Sequence, residues 1–268
     1  MTGDIGMNES NYQWPGLGKI LPDVLAFALG LGVAWKLGWK TTDLVWSLWL
    51  GSLVLGYLTI LSTIAAGVYV GANVITHAEF PQGHRVTAIL IGLAVAVFFL
   101  GFFSLHFGAF HAAHAGILSG FFPLGGMPKN AFFSAFTNPV QLWREAIHYV
   151  LPAYGAFLVP AIIAERKRVF ASVSWAANAV RNGIHDQMAG NLVQFGMTQR
   201  KSLHSPFVDP YINVIRMHLL IFFFAFCHFL KVESVIVFGV VYFVYFFPWK
   251  VFRKEALPVQ ADARQMSF

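Results

Sequence analysis

The chain has 268 residues, of which 57% are hydrophobic and 11% are charged, and its formal net charge is +6. Soluble domains carry about 25% charged residues, so this chain has too few charges to cover a water-soluble surface. The composition therefore predicts an all-α, polytopic transmembrane helix bundle whose main partner is the lipid bilayer. The positive charge does not indicate nucleic acid, because the basic residues fall between apolar runs, where they act as topology signals and contact anionic lipids.

Several classes of site are excluded or disfavoured by what the sequence contains. The single cysteine, Cys227, rules out an internal disulfide and a cysteine-rich metal cluster. We find no Walker loop, dinucleotide fingerprint or nucleophile elbow, so whether the protein is an enzyme stays open. Because the polar segment 1–18 precedes the first apolar run, we expect no cleavable signal peptide and a multi-pass protein of the cell inner (plasma) membrane.

Six apolar stretches are candidate transmembrane helices, since about 20 residues cross the hydrocarbon core. They lie near residues 20–39, 44–70, 86–122, 146–164, 211–230 and 235–247. The third is too long for one perpendicular crossing, so we expect it to tilt, to bend at a glycine or to continue as an interfacial helix. The sixth is the shortest of the set.

Lys and Arg residues predict the orientation of the bundle, because cytoplasmic loops are enriched in them. Segments 165–209 and 250–268 are the richest in basic residues, and we expect a cytoplasmic loop and a cytoplasmic tail there. Six spans then place the N-terminus in the cytoplasm as well. Part of the loop, near 170–199, is amphipathic, and it either lies flat on the membrane surface or forms a loop with a short helix.

Three stretches of the chain follow a pattern of sequence motifs. Residues 32–58 end one span in Gly-Trp and carry Trp-Leu-Gly-Ser on the next, 102–118 carry His-Phe-Gly-Ala-Phe with a second His eight residues after the first, and 210–226 open with Pro-Tyr and continue through Arg to His. Together they resemble a large family of bacterial integral membrane proteins that is classed only as a domain of unknown function. The resemblance covers most of the predicted membrane-embedded chain, and it implies a fold but no established activity.

The resemblance carries five motif residues over to this chain by position. They are His106, Gly108, Phe110, His114 and His218. The chain departs from the pattern where the family carries Trp-Leu-Glu-Asn, because Gly51 and Ser52 stand at the last two positions here. If the family's carboxylate is a ligand or a proton carrier, this chain has lost that function.

The histidines inside predicted spans are the main candidates for a functional site. They are His106, His111, His114, His218 and His228. Imidazole is costly in hydrocarbon, so such residues usually face the bundle interior and have a partner. His111 and His114 lie one helical turn apart, and one metal ion could bind both. All five are candidate metal ligands, and the three on motif positions, His106, His114 and His218, are candidate cofactor-binding residues.

Alternative functions stay open at this point. The first is a histidine-lined intramembrane site that binds Cu, Zn, Fe or haem for redox chemistry or metal handling. The second is a cofactor-free structural or accessory subunit, whose histidines bond to Ser, Tyr or backbone carbonyls and whose partners are other membrane subunits or a second copy. Proton transfer without a metal is a further role for the histidines. The third function is a small transporter, which needs broken helices and polar residues at the midplane, and midplane polarity is scarce here.

Overall fold

The computed structural model describes residues 12–13, 16–76, 81–181 and scattered positions of the C-terminal part, namely 215, 219–220, 222–223, 226–227, 229–230, 239–240, 243, 247 and 255–256. The described chain is helical, which confirms the predicted all-α class, apart from one antiparallel pair between β1 (Tyr12–Gln13) and β2 (Glu255–Ala256). The loop beyond residue 181 and most of the fifth span, the sixth span and the tail lie outside the described residues.

Three helices form the first part of the bundle: α1 (Leu17–Lys36), α2 (Thr41–Thr76) and α3 (Arg85–Phe121), the last preceded by a 3₁₀ turn, Gln82–His84. The next segment is helical but irregular, and it comprises α4 (Pro139–Glu145), a π turn (Ala146–Val150), α5 (Leu151–Tyr154), a 3₁₀ turn (Gly155–Phe157), α6 (Leu158–Val169) and α7 (Ala171–Arg181). The amphipathic segment predicted near 170–199 therefore contains a helix at its start.

Three of these helical stretches are long and apolar enough to cross a membrane: Thr42–Thr76, Gln82–Phe121 and Pro139–Val169. They contain the second and fourth predicted spans and all but the last residue of the third, while the first predicted span falls largely on α1. The last stretch starts seven residues before the predicted fourth span because Asn138 caps it. The Asn138 side chain accepts hydrogen bonds from the backbone N–H groups of Val140 and Gln141, and Pro139 occupies the first turn.

The helices α2 and α3 form a long antiparallel hairpin. The indole N–H of Trp46 donates to the carbonyl oxygen of Phe122 at 2.8 Å, and the rings of Tyr57 and Phe103 meet edge-on, 5.6 Å apart, farther down the pair. The α3 helix is continuous through Gly108, where a side-chain Cβ would lie 3.4 Å from Leu142 of α4. At that distance a Cβ would be in ordinary van der Waals contact, so this glycine marks the place where α4 packs against α3.

The remaining helices are tied to the hairpin and to α1 by polar contacts. Arg166 of α6 forms an ion pair with Asp23 of α1 at 2.6 Å, and the hydroxyl of Tyr154 donates to the carboxylate of Asp43 at 2.9 Å. Thr63 of α2 donates to the carbonyl of Thr59, so at 3.1 Å its oxygen accepts from the hydroxyl of Ser172 in α7. These contacts hold α6 against α1, and α5 and α7 against α2.

Candidate functional site

The buried histidine His111 lies at the interface of α2 and α3, and it is 0% exposed. Its Nδ1 is 3.1 Å from the carbonyl oxygen of Phe107, one turn earlier, and its Nε2 is 3.3 Å from the hydroxyl oxygen of Ser52 on α2. A carbonyl oxygen only accepts, so Nδ1 carries the proton, and in the neutral ring Nε2 accepts from the hydroxyl of Ser52. Both ring nitrogens are therefore engaged by the protein.

A second contact reinforces this point of the interface. The indole N–H of Trp49 donates to the backbone carbonyl oxygen of His111 at 3.0 Å, and the two rings lie 6.0 Å apart. Phe132, from the segment before α4, packs edge-on against Trp49 and stacks on Trp46. The imidazole thus lies in an aromatic, buried core. Mutational data put the cost of an unsatisfied polar group in such a core at roughly 1–3 kcal/mol.

The second buried histidine, His114, lies one turn after His111 and is 2% exposed. The two ring centroids are 6.4 Å apart, with the ring planes nearly perpendicular. A metal ion bound by both rings would require His111 to give up one of its two hydrogen bonds, because each of its nitrogens already has a partner. The arrangement brings two of the five candidate ligands together.

The other candidate ligands are placed differently. His106 lies on the outer face of α3, between Phe102, on which it stacks at 5.5 Å, and Phe110. His218 and His228 lie outside the described residues. Among the described residues, no group of three or more His, Cys, Asp or Glu side chains is placed to hold a metal ion. The structure therefore does not bring His106 into one site with the two buried histidines.

The comparison with protein families assigns the chain to one family. The model of a "Family of unknown function (DUF6498)" matches residues 21–247. The chain belongs to this family. Membership confirms the predicted assignment to a family of unknown function and adds no activity. No curated protein and no solved structure matches the chain.

Within this DUF6498 chain, the motif positions serve different purposes. Gly108 faces Leu142 of α4, His114 is buried and His106 is on the outer face. The residue that binds the ring of His111 is Ser52, which stands where the resemblance places the Asn of Trp-Leu-Glu-Asn. The position of Ser52 in that motif is the feature of the sequence from which its role could have been predicted.

Two further polar residues near α4 were not predicted from the sequence. Tyr57 packs its ring against Phe103, Phe107 and Trp143, and in the described part of the chain its buried hydroxyl has no hydrogen-bond partner. Glu145, at the end of α4, is buried and accepts hydrogen bonds from Gln141 and Arg144. Neither residue belongs to a recognisable motif, so only the three-dimensional packing reveals them.

Proposed function

We propose that this chain is a multi-pass protein of the cell inner membrane that acts as a cofactor-free subunit of a larger membrane assembly. Three helical stretches of sufficient length and apolarity support the membrane location. We place both termini on the cytoplasmic side. The pairing of β1 with β2 supports a common side for the two ends, which requires an even number of crossings, and the sequence predicts six.

The observation that carries the cofactor-free proposal is the bonding of His111. A metal binds imidazole through a ring lone pair. The Nδ1 of His111 carries a proton toward the carbonyl of Phe107, and the lone pair of Nε2 accepts from Ser52. With both nitrogens occupied, this histidine fixes the packing of α2 against α3, in the manner of a buried polar group that is fully satisfied.

The observation that supports a protein partner is the exposure of three apolar side chains in the segment before α4 and in its first turn. Phe133 is 85% exposed and Val140 is 76% exposed, and Phe136 lies between them in sequence. We call Phe133, Phe136 and Val140 the apolar patch. Large exposed apolar groups of this kind are typical of surfaces that bind other subunits or a second copy of the chain.

Co-purification tests this proposal. Protein extracted from its own membrane in mild detergent is separated on a native gel, and its partners are identified by mass spectrometry. We expect the wild-type chain to migrate with a partner and the double variant Phe133→Ser, Val140→Ser to migrate alone. The matched control is Phe98→Ser, an exposed position on α3 distant from the patch. A wild-type chain that migrates as a monomer would contradict the proposal.

A second candidate function is a metal or haem site that uses His114. The observation in its favour is the burial of this imidazole on the core face of α3, at a position shared with the family pattern. We propose His218 as its partner in that case, with Cu, Zn, Fe or haem iron as the bound species. This candidate requires bound metal or haem that is lost in His114→Ala and retained in His106→Ala.

A further inference from the structure

The hairpin of α2 and α3 is much longer than a bilayer is thick. The two helices contain 36 and 37 residues. At 1.5 Å per residue each is about 55 Å long, whereas the hydrocarbon core is about 30 Å thick. Only about half of the hairpin can lie in hydrocarbon unless it tilts steeply. The two halves of the hairpin differ in composition and packing, and this difference indicates which half faces lipid.

A belt of charged side chains lies beside the middle of α2. It consists of three ion pairs, which are Asp23–Arg166, Glu165–Arg168 and Arg144–Glu145. We call these six residues the charged belt.

Contacts with α2 fix the height of the charged belt along the hairpin. Trp143, next to Arg144, has its ring centroid 5.0 Å from that of Tyr57. Ser172, six residues after Arg166, is 3.1 Å from Thr63. The charged belt is therefore near residue 57 of α2, roughly 25 Å from one end of the helix and 30 Å from the other at 1.5 Å per residue.

Below the charged belt, the hairpin carries neither charge nor histidine. Residues 58–76 of α2 and 86–105 of α3 contain no Asp, Glu, Lys, Arg or His. We call these two ranges the charge-free half. Its 19 residues of α2 measure about 29 Å, which matches the hydrocarbon thickness. The α3 part is exposed on nearly all its faces and apolar all round, as expected of a helix surrounded by lipid.

Above the charged belt, the hairpin belongs to a tightly packed layer. This layer contains the buried imidazoles of His111 and His114, the buried indoles of Trp46 and Trp49, and the contacts of α4 with α3. Four other described charges are here or at its end, namely Lys36, Lys40, Asp43 and Lys129. Its buried polar groups and charged ends distinguish this layer from the charge-free half, and on α1 it also exposes Leu25, Leu29 and Trp35.

We propose that the hydrocarbon core of the bilayer surrounds the charge-free half, and that the charged belt lies at one headgroup interface. The layer that contains His111 is then outside the hydrocarbon, on the side where α2 begins. Tyr57 and Trp143 fall at the interface, where amphipathic aromatic rings are enriched. The proposal rests on the membrane location proposed above. It takes α4, α6 and most of α1 out of the hydrocarbon, so the apolar stretch Pro139–Val169 does not cross and the number of crossings falls below six.

Two other positions of the bilayer along the hairpin are less favourable. Placing the packed layer in hydrocarbon leaves the charge-free half, nearly 30 Å of apolar hairpin, in water. Centring the bilayer on the charged belt puts three ion pairs at the midplane, where each charged side chain costs at least about 2.5–3.5 kcal/mol. The proposed depth avoids both penalties, and Arg85 then lies at the opposite interface.

Two further charges of the described helices lie on this side of the charged belt. Lys19 is one turn, about 6 Å, before Asp23 in α1, close to the headgroups. The other is Arg181, at the end of α7. It lies nine residues, about 14 Å, beyond the contact of Ser172 with Thr63. That position is within one to two turns of the far interface, which a long arginine side chain reaches by snorkelling. The apolar patch of Phe133, Phe136 and Val140 is then above the membrane, where a protein partner covers it.

Cysteine accessibility tests the proposed depth. Single cysteines replace Val97 in the charge-free half and Ile117 in the packed layer, both on α3 and 63% and 48% exposed, in a Cys227→Ser background. Each variant is reconstituted in nanodiscs and treated with a charged, membrane-impermeant maleimide, with the SDS-denatured protein as the control for full reactivity. We expect Ile117→Cys to react at least tenfold faster than Val97→Cys.

Every other pattern overturns the proposal. Faster reaction of Val97→Cys places the packed layer in hydrocarbon, and equal rates, whether both fast or both slow, mean that the charged belt marks no interface. Spin labels at the same two positions give a second measurement, in which oxygen relaxes the label at Val97 more and a water-soluble nickel complex relaxes the label at Ile117 more. Release of the protein from membranes by alkaline carbonate would instead contradict the membrane location itself.

Discussion

The indole N–H of Trp49 donates a hydrogen bond to the backbone carbonyl of His111 at 3.0 Å, across the interface of α2 and α3. The imidazole of the same histidine accepts a second hydrogen bond from α2, donated by the hydroxyl of Ser52, one turn after Trp49. Two hydrogen bonds thus join the helices within a single turn, inside a core from which water is excluded. This double link is the basis for treating His111 as a structural residue.

Removal of the His111 imidazole should destabilise the protein in the absence of any metal. His111→Ala leaves a cavity and takes the partner from Ser52, and we expect the free energy of unfolding to fall by about 2–4 kcal/mol. Equilibrium unfolding in mixed micelles measures this. The matched control is His106→Ala on the outer face of α3, for which we expect a change within about 0.5 kcal/mol. Equal losses in both variants would contradict the structural role.

The indole of Trp49 should stabilise the folded protein through its N–H hydrogen bond as well as through its packing. Trp49→Phe retains an aromatic ring but removes the N–H, so we expect a loss of about 1–2 kcal/mol in unfolding free energy. Trp35, which is 83% exposed, provides the control, since Trp35→Phe removes an indole that is outside the core. Thermal unfolding followed by intrinsic fluorescence compares the two, and an unchanged midpoint in Trp49→Phe would rule out this contribution.

Gly56 should be required for the close approach of α3. A Cβ at this position would overlap the ring of Phe107, so Gly56→Ala forces the ring to move and should destabilise by about 1–3 kcal/mol. Gly51 has open space around its Cα, so Gly51→Ala should be neutral or slightly stabilising, as expected of alanine in a helix. The double variant Gly56→Ala, Phe107→Leu should recover part of the loss, and no recovery would contradict the assigned clash.

The ion pair between Asp23 and Arg166 should hold α1 against α6. Its side chains are 19% and 27% exposed, so it is partly shielded from solvent. We expect Asp23→Asn to lower the unfolding free energy by about 1–2 kcal/mol, between the values for surface and buried pairs. Glu165→Gln, which breaks the local pair with Arg168, should cost only about 0.5 kcal/mol or less.

Charge reversal provides the decisive control for this ion pair. Asp23→Arg and Arg166→Asp should each destabilise more than Asp23→Asn, because each places like charges together. The double variant should recover stability if the two side chains interact directly. Unfolding measured at low and high salt completes the comparison, and strictly additive effects of the two reversals would contradict the contact.

The sequence was sufficient to predict the positions of α2 and α3, but not the breaks in the helical segment 139–169. The long apolar runs of α2 and α3 lie within a few residues of their predicted spans, because a membrane helix is specified mainly by composition over about 20 residues. The start at Pro139 was missed, although Asn138 followed by Pro139 is an N-cap signal, since the apolar run itself starts later. Composition locates the apolar part of a helix better than its polar first turn.

The sequence was not sufficient to predict which histidines share a site. Helical spacing shows that His111 and His114 are one turn apart, but the helix that faces them depends on the packing of α2 and α4 against α3. His106 was grouped with them because of its motif position. Its exposure depends on which face of α3 packs against the other helices, and no local sequence pattern indicates that face. The hydrogen bond from Ser52 to His111 joins residues that are 59 positions apart, and helical periodicity predicts contacts only between residues close in sequence.

We propose that the buried histidines of this chain stabilise the bundle and hold no cofactor. The most direct test is a visible spectrum combined with elemental analysis of the full chain, extracted in mild detergent from its own membrane. We predict no Soret band and no stoichiometric copper, zinc or iron in a preparation that remains folded and monodisperse. A Soret band, or about one metal ion per chain that His114→Ala removes, would contradict the claim.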